Sequence, residues 1–546
     1  MKVCRLLPVL LVAAMLSATS SYASDYADIV QDTVGTSDYK AGMEEYKNGN
    51  FKKAVKFWRK AADLGNASAQ CNLGASYASG KGVRQDYKSA LKWFRKSAAA
   101  GNDVAQCNIA NFYFYGNGVE QDIDEAIKWY MLASEQGNVM ALTNLGICYK
   151  LGEGVEKDTE KAFALFYRAA EKGFAKAQNE VGECFLLGSG ITQSDTEAFY
   201  WYTLSAEQGY DEALYNLGKC YALGYGVEFD EAMAVHSYEQ AAKLENADAQ
   251  YALAECYYLG TGIEKNYTEA VKWYLKAAEQ EHVDAQYLLA GCYYRGDGVA
   301  QSYRKAAIWY SKAAKHGDPE AICQLAGCYY WGEGMTLDKE KAMRLYEESA
   351  KLGCAEAMFY MGEYQMPDEE GNYDNARALD WYIKSAEAGY LPACNQVGNY
   401  YYFGFANKQD YELAAKWYEK GALGGDPYAQ FNIGQCYYSG TGVELDYLKA
   451  ARWYIRSAEQ DFVDAQYMLG VMYYKGLGVQ QSYSEAVLWY TKASDFGRAE
   501  AQYDLGICYY YGQGVPENKK EALRLWKLAA VQEYEKAVEA LREFSE

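Results

Sequence analysis

Three serines stand three residues before a lysine: Ser37 and Lys40, Ser89 and Lys92, and Ser302 and Lys305. A lysine so placed can take the proton of an attacking hydroxyl, which is the chemistry of serine acylation. Two fixed positions in four recur by chance in a chain this long. Neither Lys-Thr-Gly nor Ser-Asp-Asn accompanies them. The three histidines, His236, His282 and His316, are scattered and show no metal-ligand spacing. The many Gly-x-Gly pairs follow helical segments rather than strands, so they are not dinucleotide loops. These residue types predict a non-enzymatic protein with no catalytic residue, no cofactor and no metal site.

Any other functional side chain must be positioned by a repeat. From Ala69 to Lys536 the chain returns to one pattern every 36 residues, thirteen times without a slip, with units opening at Ala69, Ala105 and so on to Ala501. Such a unit cannot bury its apolar face alone, so stacked neighbours must share a core. Counting the opening alanine as position 0, the unit at Ala249 places Ala249, Leu253, Cys256 and Tyr257 on one helix face. Gly260-Thr261-Gly262-Ile263 ends that helix, because glycine accepts a left-handed cap. Asn266 opens a second helix with the stripe Ala270, Trp273, Tyr274, Ala277 and Ala278.

Position 17 is Asp, Asn or Ser in every unit, from Asp86 to Asn518, as a helix N-cap requires. One carboxylate per unit cannot converge on an ion. A small residue at position 5, such as Gly74 or Gly434, lets the two helices approach. The tryptophan at position 24, as in Trp93 and Trp273, is expected to be the core knob. The fold class is therefore all-α, an α/α superhelical solenoid of helix-turn-helix repeats. Thirteen full units span 69–536, after a shortened capping unit at 38–68 and before a capping helix at 537–546.

Residues 1–23 read as a secretory signal peptide. Lys2 and Arg5 precede an apolar run from Leu6 to Leu16, and Ser21-Tyr22-Ala23 offers a cleavage site. Residues 24–37 carry no helical pattern and are expected to be flexible. No other stretch is apolar enough for a transmembrane segment. The expectation is an exported protein, periplasmic or secreted, or in the endoplasmic-reticulum lumen if the source is eukaryotic. The formal charge of −21, or −23 without Lys2 and Arg5, repels phosphate backbones and argues against nucleic acid.

Fourteen cysteines suggest disulfides, but their register does not. Eight, including Cys148 and Cys436, share position 7, and Cys71, Cys107 and Cys323 share position 2. Equivalent slots in stacked repeats lie about 10 Å apart, beyond the roughly 7 Å a disulfide allows between Cα atoms. They read as small packing residues. Cys354 and Cys394 fall off the pattern.

The unit at Ala429 shows the full motif in Ala429, Ile433, Gly434, Tyr437, Gly440, Gly442, Val443, Asp446, Ala450, Trp453, Tyr454 and Ala458. It resembles the Sel-one-like repeat family, which is similar to tetratricopeptide repeats with a longer loop. The resemblance implies a superhelix that binds proteins, scaffolds complexes and lines its concave groove with the first helices. Positions 2, 6 and 9 would then face the groove. Position 2 holds Tyr215, Tyr251, Tyr287, Tyr467 and Tyr503, with Phe359 and Phe431. Position 9 holds Tyr258, Tyr294, Tyr330, Tyr402, Tyr438, Tyr474 and Tyr510. Tyrosine offers large contact area at small entropy cost. These rings either bind a partner or pack on neighbouring units.

A protein or peptide is the favoured ligand, and a glycan the second. A cysteine-rich branch of the family is linked to β-lactam binding and hydrolysis, with cysteines bridged within each repeat. Here alanines such as Ala278, Ala314 and Ala458 fill the second-helix slot. The regular loop is replaced at Met366–Gly371 and at Phe405–Asn407, which is read as a change of curvature.

Overall fold

The computed structural model describes residues 35–364, 374–406 and 408–544. The signal-peptide segment, most of 24–37, the replaced loop at Met366–Gly371 and Asn407 lie outside the described residues. Those residues form 29 helices and no strand. They divide into two compact units, one ending at His282 and one starting at Val283. Each unit is a run of helix pairs in which a helix packs mainly on its chain neighbours, as in a solenoid. The pair Ala247–Leu259 and Tyr267–Glu279 is representative. The first pair, Thr36–Lys47 and Phe51–Asp63, has only three residues between its helices, and the chain closes on a single helix, Glu535–Phe544.

Local chemistry sets the helix ends. Every side chain at position 17 accepts a hydrogen bond from a backbone N–H of the following turn. Asp122 does so from Glu125 and Ser482 from Glu485. A second row of caps precedes the first helices: Asn66, Asn102, Asn138, Asn246, Asp318 and Asp426 each accept from the alanine at position 0. The loop glycines are required where the chain turns left-handed. Gly116 and Gly118 have φ of 71° and 70°. A Cβ on Gly118 would stand 2.6 Å from Cβ of Tyr87 in the preceding repeat, so the loop rests on the neighbouring second helix.

The core knob is one residue later than the sequence suggests. Position 25, not the tryptophan at position 24, is fully enclosed: Phe94, Tyr130, Phe166, Tyr202, Tyr274, Tyr346 and Tyr454 are among the largest buried side chains. The small residue at position 5 exists to seat this ring, because a Cβ on Gly74 would approach Phe94 to 2.7 Å and one on Gly434 would approach Tyr454 to 2.8 Å. The tryptophans instead cover the core of the preceding repeat. Trp93 packs against the cluster that holds Ala54, Trp58 and Leu73, and Trp273 against the cluster that holds Tyr238, Ala242 and Leu253. Their outer faces carry a cation one turn on, with Lys276 4.0 Å from Trp273 and Lys312 3.6 Å from Trp309.

Buried glutamines at position 1 tie the repeats together. Gln250 donates to the carbonyl of Ala242 at 3.2 Å and accepts from Gln280 at 2.9 Å. Gln430 repeats the arrangement with Ala422 and Gln460.

Candidate interaction face

All twelve tyrosines at positions 2 and 9 are half-buried on the first-helix face. Within a repeat the two rows flank the buried ring at position 25. Tyr251 and Tyr258 lie 6.2 and 6.4 Å from Tyr274, and Tyr467 and Tyr474 lie 6.0 and 6.5 Å from Tyr490. Position 9 also meets the first residue of the second helix edge to face. The pairs Tyr258–Tyr267, Tyr294–Tyr303, Tyr402–Tyr411, Tyr438–Tyr447 and Tyr474–Tyr483 have centroids 4.9, 5.1, 5.0, 5.4 and 5.1 Å apart. Edge-to-face contact suits the ring quadrupoles and fixes ring orientation. Position 6, between the rows, supplies acceptors to the buried hydroxyls: Asn399 to Tyr418 at 2.8 Å and Glu363 to Tyr382 at 2.9 Å.

The rings at position 2 have a second support that the sequence reading missed. It comes from position 33 of the same unit. Tyr251 stacks on His282 at 4.7 Å, Tyr503 meets Tyr534 at 5.5 Å, and the Arg498 guanidinium lies 4.7 Å from the Tyr467 ring. Phe359 and Phe431 meet Tyr390 and Phe462 in the same way. The available signal was the loss of the Asn or Asp cap at position 33 in these units. Tyr287 rests on Tyr310 at 5.8 Å.

Several tyrosines also reach the next repeat. Tyr294 donates to Glu333 at 2.7 Å, Tyr474 to Gln513 at 2.8 Å and Tyr467 to Asp504 at 3.1 Å. Tyr330 stacks on Tyr364 at 4.1 Å, and Tyr510 packs on Phe544 of the closing helix. Every predicted tyrosine is thus braced by at least one ring and still partly open to solvent.

In the repeats before Tyr251 the same face carries polar links beside Phe114 and Tyr215. Asn144 donates to Asn111 at 3.2 Å and Asn216 to Asn179 at 2.9 Å, each across a repeat boundary. The Lys150 ammonium lies 3.0 Å from Glu180 and 2.8 Å from Glu183. Burial alone would lower the Lys150 ammonium, but the two carboxylates outweigh it and hold it above its ordinary range.

The candidate nucleophiles are not brought together. Ser89 donates to Asp86 at 2.6 Å, Ser302 caps its helix through Lys305, and Ser37 sits in the first turn of Thr36–Lys47. His236 pairs with Gln240, His282 lies 3.3 Å from Asp248, and His316 ends the helix Tyr303–Lys315. Among the described residues no group of three His, Cys, Asp or Glu side chains could hold a metal. The thirteen described cysteines are unbridged, and all but Cys256 are buried. Cys323 and Cys354 share one core cluster. A hydrogen bond between their thiols raises Cys323 and lowers Cys354 from the usual thiol range.

A family model described as Sel1 repeat matches fourteen segments in succession, from 39–66 through 67–102 to 499–532. The shortened first pair is thus matched as well. No curated protein matches the chain. Among solved structures, a protective antigen of uropathogenic Escherichia coli strains displaying an SLR fold is 31% identical, with a TM-score of 0.61. That match covers 83% of this chain and 97% of the antigen. A Sel1 repeat protein from Oxalobacter formigenes is 34% identical, with a TM-score of 0.42 over 44% of this chain and 99% of its own length.

Proposed function

Because this chain belongs to the Sel1 repeat family, we propose that it is an exported, non-enzymatic scaffold that holds a protein or peptide partner against its first-helix face. The observation that carries the reading is the double row of tyrosines at positions 2 and 9, nine of the twelve in the unit from Val283 onward. Rings already fixed by edge-to-face neighbours lose little freedom when a partner covers them, which is how preorganised aromatic surfaces gain affinity. Export rests on the charged and apolar pattern of residues 1–23. Among the described residues no helix is long and apolar enough to cross a membrane.

The test is affinity capture from native envelope and medium. Wild type is compared with a variant carrying Tyr258→Ala, Tyr294→Ala, Tyr438→Ala and Tyr474→Ala, with helicity and melting checked in parallel. A protein retained by wild type and absent from the folded variant is the expected result. Identical retained proteins would sink the reading. A glycan is the second reading, favoured by the exposed rings Phe403 and Phe405 stacked at 5.3 Å. Saturable oligosaccharide binding that Phe403→Ala abolishes would move the assignment there.

A further inference from the structure

The last residue of each first helix, position 10, is a different surface from the tyrosine face. In four consecutive repeats of the unit ending at His282 it is a leucine, and each is well exposed: Leu151 at 58%, Leu187 at 64%, Leu223 at 59% and Leu259 at 60%. A single exposed leucine needs no explanation, but a run in register through four stacked repeats forms one apolar stripe. Phe229, 58% exposed in the adjoining loop, widens it. In the unit from Val283 the same position reads Arg295, Trp331, Phe403, Ser439, Lys475 and Tyr511, so charged and hydroxyl side chains interrupt it. Solvation alone does not account for the stripe, because Arg295 and Lys475 show that the position accepts a cation.

Three of the four loops that follow the leucines carry carboxylates, and the loop after Leu187 is uncharged. The three carry Glu153, Glu156, Asp158, Glu228, Asp230 and Glu264 against only Lys157 and Lys265. Asp158 and Asp230 are also occupied as caps, and Lys161 already pairs with Asp158 at 3.0 Å. An apolar row edged by carboxylates complements a segment that is both apolar and basic. Equivalent helices of stacked repeats stand about 10 Å apart. A segment in the extended polyproline II conformation advances about 3.1 Å per residue and returns to the same face every third residue, so every third side chain of such a segment meets the next leucine. A helical ligand would reach the same spacing only with an apolar side chain at every seventh residue.

We propose that the stripe Leu151–Leu187–Leu223–Leu259 is a docking site for an extended basic peptide segment carrying an apolar side chain at every third position. The inference rests on the reading of this chain as a protein-binding scaffold, but it names a different surface from the tyrosine face and a specific ligand chemistry. The acidic loops attract the cationic residues between the anchors, and the leucines set the register.

The test uses the full chain and three fluorescein-labelled peptides. One carries leucine at every third position with lysines between. The second has the same composition with leucine at every fourth position. The third replaces lysine by glutamate. The first peptide should bind saturably, and the other two at least about tenfold more weakly. Leu187→Ser with Leu223→Ser should weaken the first peptide by about tenfold or more and leave the melting temperature unchanged, because both side chains are exposed. Equal binding of all three peptides, or undiminished binding by the double variant, overturns the proposal. So does a dimer in sedimentation velocity that the double variant dissolves, since the stripe would then be covered by a second copy. The tyrosine variant separates the two readings. If it keeps its native partner while the leucine variant loses the lysine peptide, only the tyrosine reading fails. If no peptide binds but the tyrosine-dependent partner is captured, only the stripe fails.

Discussion

Tyr130 and Tyr454 occupy the same buried slot of the repeat, one in each unit, yet their hydroxyls are treated differently. The Tyr130 hydroxyl donates to Asn111 at 2.5 Å, and Asn111 also accepts from Asn144 of the next repeat. The Tyr454 hydroxyl is buried with no hydrogen-bond partner among the described residues, and its neighbours are the rings of Phe431 and, at its edge, Tyr438. The contrast extends along both units. Before Tyr251, adjacent first helices are joined by amide pairs and by Lys150 between two glutamates. From Val283 onward aromatic contacts are more numerous, although Asn432 still donates to Asn395 at 2.8 Å. One helical frame therefore accepts either directional polar links or stacked rings at its repeat junctions. Polar links spend their hydrogen-bonding groups on one another, whereas the half-buried rings keep part of their surface toward solvent.

The largest expected effect tests a buried carboxyl of the aromatic unit. Burial pushes the Asp504 carboxyl up to about 6, although the Tyr467 hydroxyl donates to it at 3.1 Å. A carboxyl raised from 3.8 to about 6 disfavours the folded state at neutral pH by roughly 3 kcal/mol. The folded chain binds this proton below about pH 6 while the unfolded chain does not until about 3.8, so the group's contribution becomes more favourable as pH falls. Asp504→Asn keeps the acceptor for Tyr467 and removes the charge. At pH 7.5 it should therefore melt higher than wild type, and the difference should shrink as pH falls below about 6 and vanish only below about 3.8. A pH-independent difference in melting temperature would show that Asp504 is solvated.

A smaller effect probes the polar unit. Lys150→Met leaves Glu180 and Glu183 facing each other without their cation, at a site that is partly screened. The expected loss is about 1–2 kcal/mol, read as a lower melting temperature. Glu180→Gln together with Glu183→Gln in the Lys150→Met background should recover most of it. No loss from Lys150→Met would remove the ion pairs from the account of what holds the polar repeats together.

Much of this frame can be read from residue spacing. The 36-residue period gives the helix pairs, because Asp, Asn or Ser at position 17 and glycine after position 10 are strong local end signals. Two things could not be read that way. Positions 24 and 25 are both aromatic in many units, and helical periodicity cannot decide which of two adjacent rings is enclosed. The answer lies in the facing glycine at position 5, whose missing Cβ makes room for position 25. The fate of the tyrosines was open for a related reason. Positions 2 and 33 are far apart in the chain, and only the helix turn between repeats brings Tyr251 onto His282 or Tyr503 onto Tyr534. The exposed leucines at position 10 were written as plainly in the sequence as the tyrosines. A leucine at a helix end reads as core until burial shows otherwise.

The smallest effect returns to the two hydroxyls. Tyr130→Phe strands the Asn111 carbonyl oxygen on one side and should cost about 1 kcal/mol. Tyr454→Phe removes a buried hydroxyl that has no partner, so it should be neutral or slightly stabilising. Both replacements keep the ring over the small residue at position 5, Ala110 or Gly434, and leave packing volume almost unchanged. The quantity that matters is the difference between the two variants, read from denaturant midpoints at constant slope. Equal losses would mean that the Tyr454 hydroxyl reaches a water or an acceptor after all, and the two units would then hold their central rings by the same means. A loss confined to Tyr130→Phe would show that the Tyr454 ring is held by packing alone, unlike Tyr382 and Tyr418 of the same unit, whose hydroxyls donate to Glu363 and Asn399.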